Sequence, residues 1–136
     1  GIPSNLYLYD SITPLQAEIF PNFFDVLLMP YQKKVFLNNG LDTSKFMSPM
    51  KMYEYMLSEK PIISSNLKVI KETLVDNENS LLVDPKNVDD WVEGIKKLDD
   101  PKFRSYLSNN AYKTAIKNFT WECRVNKILS YLKNKI

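Results

Sequence analysis

Apolar runs and helix-period stripes alternate along this chain of 136 residues. The run at residues 25–30, which Pro30 closes, is continuous rather than alternating, and this pattern is typical of a strand buried on both faces of a parallel sheet. Short runs at residues 61–65 and 80–83 predict two further strands, and residues 5–9 predict one that precedes them. The pattern therefore indicates a sheet with strands spread over the first two thirds of the chain.

Helical segments are predicted between and after these strands, each behind a residue that can cap a helix. The predicted caps are Thr13, Asn66, Asn87, Asp100 and Thr120. We expect the helix after Asn66 to bury Leu67, Ile70 and Leu74, and the helix after Asn87 to bury Val88, Trp91, Val92, Ile95 and Leu98. Strands alternating with helices, followed by a helical C-terminal end, indicate an α/β fold with a parallel sheet.

A further helix is predicted at residues 48–57, and it has an acid on its apolar stripe. Helical spacing gives this stripe as Met50, Tyr53, Glu54 and Leu57. Because an unpaired buried carboxylate is costly, we expect Glu54 to have a partner or a functional role. The alternative is a carboxylate at the edge of the buried face, with its tip in water.

The start of the same helix suggests an anion site. Ser48 is a suitable N-cap and Pro49 a suitable first residue. Lys51 places a positive charge in the first turn, where the helix dipole favours negative charge. A solvated surface lysine explains this equally simply, but a docked phosphate explains both the charge and the cap.

Composition removes several classes of chemistry. The chain has no histidine, one cysteine (Cys123), three glycines and a net charge of +2. Histidine triads and internal disulfides are therefore excluded, and neither a metal nor another cofactor is expected. The weak net charge does not indicate nucleic-acid binding, and no apolar run is long enough to cross a bilayer.

Ligands of open parallel sheets bind beyond the carboxyl ends of the strands. Three predicted loops lie on that side, at residues 10–13, 31–48 and 64–66. The middle loop is the longest and leads directly into the helix that carries Glu54. Long ordered loops at this edge are commonly functional.

The ordered set of motifs resembles the C-terminal domain of family 4 retaining glycosyltransferases, which have the two-domain GT-B fold. The motifs are DVLLMPY at residues 25–31, SPMKMYEYM at 48–56, KPIISS at 60–65, NSLLV at 79–83 with Pro85, and TWE at 120–122. The resemblance covers nearly the whole chain and implies a Rossmann-like parallel sheet flanked by helices, as part of a GT-B C-terminal domain.

The resemblance also implies roles for individual residues. The acid that matches Glu54 hydrogen-bonds the ribose of a nucleotide sugar, and the backbone around Pro49, Met50 and Lys51 approaches the diphosphate. Ser11 and Ile12 match the loop that meets the base. The nucleotide sugar is a substrate of such enzymes and not a cofactor, and the resemblance assigns no catalytic residue.

The chain departs from the family pattern before this helix. Phe46 stands where the family commonly has glutamate, and Pro49 stands where glycine is usual. Asp42 and Lys45, in the preceding loop, are the further donor-site candidates, with Asp42 as the replacement for the absent acid. The Ser-Pro-x-Lys form resembles a branch of surface-polysaccharide enzymes.

We therefore expect residues 1–136 to be one domain, a fragment of the donor-binding half of a GT-B transferase that is inactive alone. The expected donor is a UDP-sugar, and the transferred group a hexosyl or N-acetylhexosaminyl unit. The expected acceptor is a saccharide or lipid-linked saccharide of bacterial surface polysaccharide such as O-antigen or capsule. The expected location is the cytoplasm or the cytoplasmic face of the inner membrane, with peripheral membrane association through the missing acceptor domain.

The alternative interpretation is a noncatalytic α/β nucleotide-binding module or a partner subunit. A receiver-like module would need acids at the carboxyl ends of its strands. Asp25 lies at the amino end of its predicted strand. The position of this acid therefore disfavours the receiver-like form of the alternative.

Overall fold

The computed structural model describes residues 3–34, 36, 40, 42 and 48–133. Its centre is a three-stranded parallel sheet in the order β1-β2-β3. The strands are β1 (Leu27–Met29), β2 (Ile62–Ser65) and β3 (Leu81–Val83). The strands predicted at residues 25–30, 61–65 and 80–83 are thus confirmed, as is the α/β fold.

Five α-helices accompany the sheet in the described part of the chain. They are α1 (Pro14–Ile19), α2 (Met50–Leu57), α3 (Val88–Lys97), α4 (Pro101–Asn118) and α5 (Trp121–Lys133), and a 3-10 helix (Phe20–Phe23) follows α1. The helical C-terminal end is therefore confirmed.

The two faces of the sheet carry separate apolar cores. Ile62 and Ile63 are neighbours on β2, so their side chains leave opposite faces, and both are fully buried. Ile62 belongs to the larger core, which includes residues of α2 and α4. Ile63 belongs to the smaller core, which also contains Leu81, Leu98 and residues of α4. The sheet is therefore a middle layer between helices.

The packing of α2 against α4 depends on a difference in side-chain size. Met52 and Met56 are the buried residues of α2, and Ala111 and Ala115 lie in the same core from α4. The alanines leave space between the helices that the long, flexible methionine side chains fill. This packing fixes which face of α2 points inward and which face remains available to a ligand.

The strand predicted at residues 5–9 is wrong. These residues have no strand assignment, and Tyr7, Leu8 and Tyr9 are exposed. A strand needs a partner for its backbone hydrogen bonds and a surface for its side chains. In the described residues the sheet has no strand that pairs with this segment.

The helix predicted after Asn66 is also wrong, although its apolar residues are buried as expected. The segment forms successive turns, in which the amide of Ile70 donates to Leu67 O at 3.1 Å and the amide of Leu74 donates to Ile70 O at 2.8 Å. The Asn66 amide donates to Val83 O at 2.8 Å, so this residue extends the contact with β3 and does not start a helix.

The predicted inner stripe of α3 is only partly buried. Leu98 is 2% exposed, but Val88 is 73% exposed, and Val92 and Ile95 also face solvent. Gly94 lies against the sheet instead: a Cβ atom built on it would lie 3.4 Å from Cδ1 of Ile63. The glycine lets this side of the helix approach the sheet closely, which turns the valines outward.

Replacement of Gly94 by alanine is expected to raise the free energy of unfolding by about 0.5–1 kcal/mol, because alanine loses less backbone entropy in a helix. The new methyl group would meet only side-chain atoms, at 3.4 Å or more, which is ordinary van der Waals contact. Urea unfolding checks the sign. Gly40→Ala is the matched control and should destabilise, since Gly40 has φ +80. A destabilised Gly94→Ala would contradict the packing described.

Candidate functional site

The carboxyl end of β1 is held against β2 by two buried serines. The hydroxyls of Ser64 and Ser65 lie 3.5 and 3.4 Å from Met29 O, and both serines are fully buried. The amide of Tyr31 donates to the same oxygen at 3.0 Å. This shared acceptor brings the loops after β1 and β2 together at the edge where ligands of parallel sheets bind.

An ion pair joins the loops after the two outer strands of this sheet. Lys33 Nζ lies 3.3 Å from Asp84 Oδ2, and Asp84 Oδ1 accepts from the amide of Lys86 at 2.9 Å. That backbone hydrogen bond, followed by the nearby Lys33, holds the pKa of Asp84 below its usual value of 3.8. Lys33 and Asp84 were not among the predicted site residues; their positions just after predicted strands were the available signal.

Replacement of Lys33 by alanine is expected to leave the pKa of Asp84 below its usual value, because the Lys86 amide is the larger cause of the shift. A lowered carboxyl pKa stabilises the folded chain above the unfolded pKa, and this contribution is lost as the pH falls through the folded pKa. Titration of the Asp84 carboxyl by NMR checks this. A return to the usual pKa would show that Lys33 is the dominant partner.

Two tyrosines connect the loop after β1 with α2. Burial raises the pKa of Tyr31, and burial is also the first cause of the raised pKa of Tyr55, with smaller contributions from Tyr31 and Glu54. Both phenols therefore remain protonated at neutral pH and available as hydrogen-bond donors.

The N-terminus of α2 has no side-chain cap. Pro49, with φ −70 and ψ 117, occupies the N-cap position that was predicted for Ser48, so that prediction is wrong by one residue. The Ser48 hydroxyl lies instead 3.4 Å from the phenol oxygen of Tyr53. No acid stands in the first turn of α2. The amides of Met50 and Lys51 are therefore not satisfied by a cap and can meet an anion.

The other four α-helices in the described part of the chain differ from α2 in this respect. In each of them an N-cap side chain accepts a hydrogen bond from a backbone amide of the first turn. These caps are Thr13, Asn87, Asp100 and Thr120, all as predicted.

Glu54 lies on the exposed side of α2, which corrects the argument made from burial. The residues buried on this helix are Met52 and Met56, while Met50 is 72% exposed. The predicted stripe of Met50, Tyr53, Glu54 and Leu57 is therefore mostly the outer side of the helix. A carboxylate in solvent needs no partner, so the case for Glu54 rests on its accessibility and on the resemblance.

A cleft of about 370 Å³ lies beside the start of α2, and we call it the α2–α5 cleft. One wall is Ser48, Met50 and Tyr53, and the other wall is residues 118–121 with Arg124 and Lys127. Of the predicted site residues, Ser48 and Met50 line this cleft. Lys51, Glu54, Ser11 and Ile12 are not among its lining residues.

Of the remaining candidates, those within the described residues do not line this cleft. Ser11 and Ile12 are exposed just before the cap of α1, and because no strand precedes them they do not follow a strand end. Asp42 is half-buried and forms an isolated antiparallel bridge with Phe36. Lys45, like Phe46, lies outside the described residues.

The described ranges lack two kinds of feature. These ranges contain no group of three or more acidic or cysteine side chains that could hold a metal ion. None of the helices in the same ranges has the length and apolar character required to cross a membrane.

Comparison with known proteins identifies the family. The family model described as "Glycosyl transferases group 1" matches residues 47–114, which is half of the chain and includes α2, β2 and β3. The chain is 31% identical over 70 residues to an "Uncharacterized glycosyltransferase MJ1607" of Methanocaldococcus jannaschii. That match covers 51% of this chain and only 18% of the relative's length.

Solved structures show the same fold. The C-terminal domain of a glycosyl transferase group 1 family protein (LpcC) from Francisella tularensis has a TM-score of 0.67 at 18% identity, covering 84% of this chain and 53% of that one. Sucrose-phosphate synthase from Thermosynechococcus elongatus has a TM-score of 0.64 at 19% identity, with coverages of 87% and 28%. Anabaena Alr3699/HepE, solved with UDP-glucose, has a TM-score of 0.64 at 16% identity, with coverages of 85% and 29%.

These likenesses agree with the parallel sheet, the flanking helices and the helical C-terminal end, which together give the fold of a GT-B C-terminal domain. The chain spans less than two thirds of each relative described. Because the family model matches half of its length, the chain belongs to the glycosyl transferases group 1 family.

Proposed function

We propose that this chain is the donor-binding part of a family 4 retaining glycosyltransferase that uses a UDP-sugar. The observation that carries the proposal is the uncapped N-terminus of α2, which lies within the segment that the family model matches. The UDP-glucose complex of the structurally similar HepE supports a nucleotide-sugar donor.

The chemistry follows from the direction of α2. The free amides of Met50 and Lys51 and the positive end of the helix dipole would face the diphosphate. Glu54 lies four residues after Met50, on the same exposed side, where its carboxylate would accept hydrogen bonds from ribose hydroxyls. As the bond to the sugar breaks, negative charge grows on the departing nucleoside diphosphate, and fixed amides stabilise it most at that point. The sugar would pass through an oxocarbenium-like state.

The wider role extends this proposal. The Ser-Pro-x-Lys form of residues 48–51 supports a place in bacterial surface-polysaccharide assembly, with transfer of a hexosyl or N-acetylhexosaminyl group. The acceptor would be a saccharide or lipid-linked saccharide held by parts of the enzyme outside this chain, at the cytoplasmic face of the inner membrane. This chain alone would then bind donor without transferring sugar.

A noncatalytic or partner-subunit role is the second candidate. It is favoured by Phe46, which stands where the family commonly has a glutamate. A noncatalytic nucleotide-binding module would also bind nucleotide, but only the transferase moves the sugar of a UDP-sugar to an acceptor and releases UDP. Acceptor-dependent UDP release by the full-length protein, supplied with a UDP-sugar and a lipid-linked saccharide, would therefore exclude the noncatalytic role.

Donor binding is tested by calorimetric titration of UDP and uridine into the full chain. We expect saturable binding of UDP and at least about tenfold weaker binding of uridine, because charge-assisted hydrogen bonds to the diphosphate would be absent. The NMR chemical shifts of the Met50 and Lys51 amides should change when UDP is added and should not change when uridine is added. Equal affinity for the two compounds would refute a diphosphate site at this helix.

A further inference from the structure

The α2–α5 cleft is fixed on its inner side by aromatic packing. The ring centroids of Tyr53 and Phe119 lie 5.2 Å apart with an interplanar angle of 55°. The phenol oxygen of Tyr53 lies 3.4 Å from the hydroxyl of Ser48. These contacts join α2 to the segment between α4 and α5, so both walls of the cleft have a defined position.

The charged residues of the cleft are both cations. Arg124 and Lys127 line it, and no acidic residue of the described ranges does. The guanidinium carbon of Arg124 lies 5.8 Å from the ring centroid of Trp121. Among the described residues, no carboxylate forms an ion pair with Arg124 or Lys127. The cleft therefore favours an anion.

Large apolar side chains border the same cations. Trp121 is 80% exposed and Met50 is 72% exposed, although both line a concave surface. An aromatic ring of this kind offers a flat face for stacking and a large area to remove from water. The combination of unpaired cations with exposed apolar surface matches a ligand that is anionic at one end and apolar or planar at the other.

We propose that the α2–α5 cleft is a binding site for a phosphate monoester carried on an aromatic or apolar body. It adjoins the donor site, because Ser48 and Met50 line it, but it does not include Glu54 or Lys51. The volume of about 370 Å³ suits one ring or short chain with its phosphate. Arg124 and Lys127 bind the phosphate, and Trp121 packs on the body. Because Glu54 and Lys51 do not line the cleft, this site does not depend on them.

Phenyl phosphate is the probe for this site, titrated into the full chain by calorimetry at low salt. We expect saturable binding that phenol and inorganic phosphate do not match. Arg124→Ala and Lys127→Ala should each raise the dissociation constant about tenfold, as expected when one charge-assisted hydrogen bond is lost. Lys133→Ala is the matched control, because it removes the same charge from α5 outside the cleft and should change the constant by less than about twofold. Circular dichroism confirms that each variant is folded.

Trp121→Ala separates the two halves of the ligand. This variant should weaken the binding of phenyl phosphate and leave the binding of inorganic phosphate unchanged. The reason is that the Trp121 ring contacts the aromatic body of the ligand and not its phosphate. Two natural sources of this chemistry are then compared: UMP as a nucleotide and dihexanoyl phosphatidic acid as a lipid phosphate. Because UMP can also bind the donor site, only binding that Arg124→Ala weakens is compared. By that measure, tighter binding of the lipid phosphate assigns the cleft to lipid phosphates, and tighter binding of UMP assigns it to nucleotides.

The position of the site is tested with Glu54→Ala. This variant should bind phenyl phosphate as the parent chain does, even where it binds UDP less well. Loss of phenyl phosphate binding in Glu54→Ala would show that the site includes Glu54 and would overturn its assignment to the α2–α5 cleft alone. Absence of saturable phenyl phosphate binding, or an equal loss in Lys133→Ala, would overturn the binding site itself while leaving the donor proposal intact.

Discussion

Replacement of Met56 by alanine is expected to lower the free energy of unfolding by about 2–5 kcal/mol, the largest effect on stability that we predict. Met56 is fully buried in the core shared by α2, α4 and β2. Its truncation would leave a cavity against Ala111 and Ala115, whose short side chains cannot fill the space. The cost therefore includes both the lost apolar burial and the unfilled volume.

Met50 provides a matched control on the same helix. Met50→Ala makes the same chemical change at a position that is 72% exposed, so we expect a change within about 0.5 kcal/mol. Equilibrium urea unfolding followed by circular dichroism measures both. A chain that fails to fold with Met56→Ala would be replaced by Met56→Leu, which conserves volume and should cost less than about 1.5 kcal/mol. If Met50→Ala lowered the free energy of unfolding strongly and Met56→Ala left it unchanged, the buried face of α2 would be the one predicted from the sequence.

Local signals gave the features that sequence analysis predicted well. Thr13, Asn87 and Asp100 cap their helices as expected, because a cap is a contact between residues two or three positions apart. The three strands of the sheet were predicted because each is a short apolar run ended by proline or polar residues. Such runs are the right length for a buried strand and too short for a typical helix. The formation of these elements is therefore set mainly by local sequence and depends little on tertiary contacts.

The faces of the helices could not be predicted in the same way. In α2, apolar side chains occupy both the predicted stripe and the buried positions of Met52 and Met56, so spacing alone allows two orientations. The choice is made by the small residues Ala111 and Ala115 of α4, which lie far along the sequence. Gly94 decides the orientation of α3 by the same principle of close approach.

The predicted site residues stay predictions, but the local structure around them can be compared with the sequence analysis. The N-cap of α2 was predicted one residue too early, at Ser48 instead of Pro49, because both residues suit a helix start. The cleft beside it was missed because Tyr53 meets Phe119 only after α4 has packed against α2. The available sequence signal was a tryptophan, Trp121, on the same predicted helix as Arg124 and Lys127.

Glu54→Ala is expected to weaken UDP binding by about tenfold or more, the loss expected when hydrogen bonds to an ionised acceptor disappear. The sign of the effect is informative. If the carboxylate only lay near the diphosphate, its removal would relieve repulsion between negative charges and strengthen binding. Weaker binding therefore indicates contact with hydroxyl groups. Glu72→Ala, which removes the same charge from an exposed residue elsewhere, is the control and should change binding by less than about twofold.

A nucleotide without the 2′-hydroxyl completes the test as a thermodynamic cycle. If Glu54 accepts a hydrogen bond from that hydroxyl, 2′-deoxy-UDP should bind the parent chain more weakly than UDP does, and Glu54→Ala should affect the deoxy ligand much less. The two losses would then be strongly non-additive, because each removes one partner of the same contact. Additive losses would place the carboxylate away from the ribose. Since Glu54 is exposed and outside the buried core of α2, its replacement should leave the unfolding transition unchanged, so a loss of binding could not be ascribed to a loss of structure.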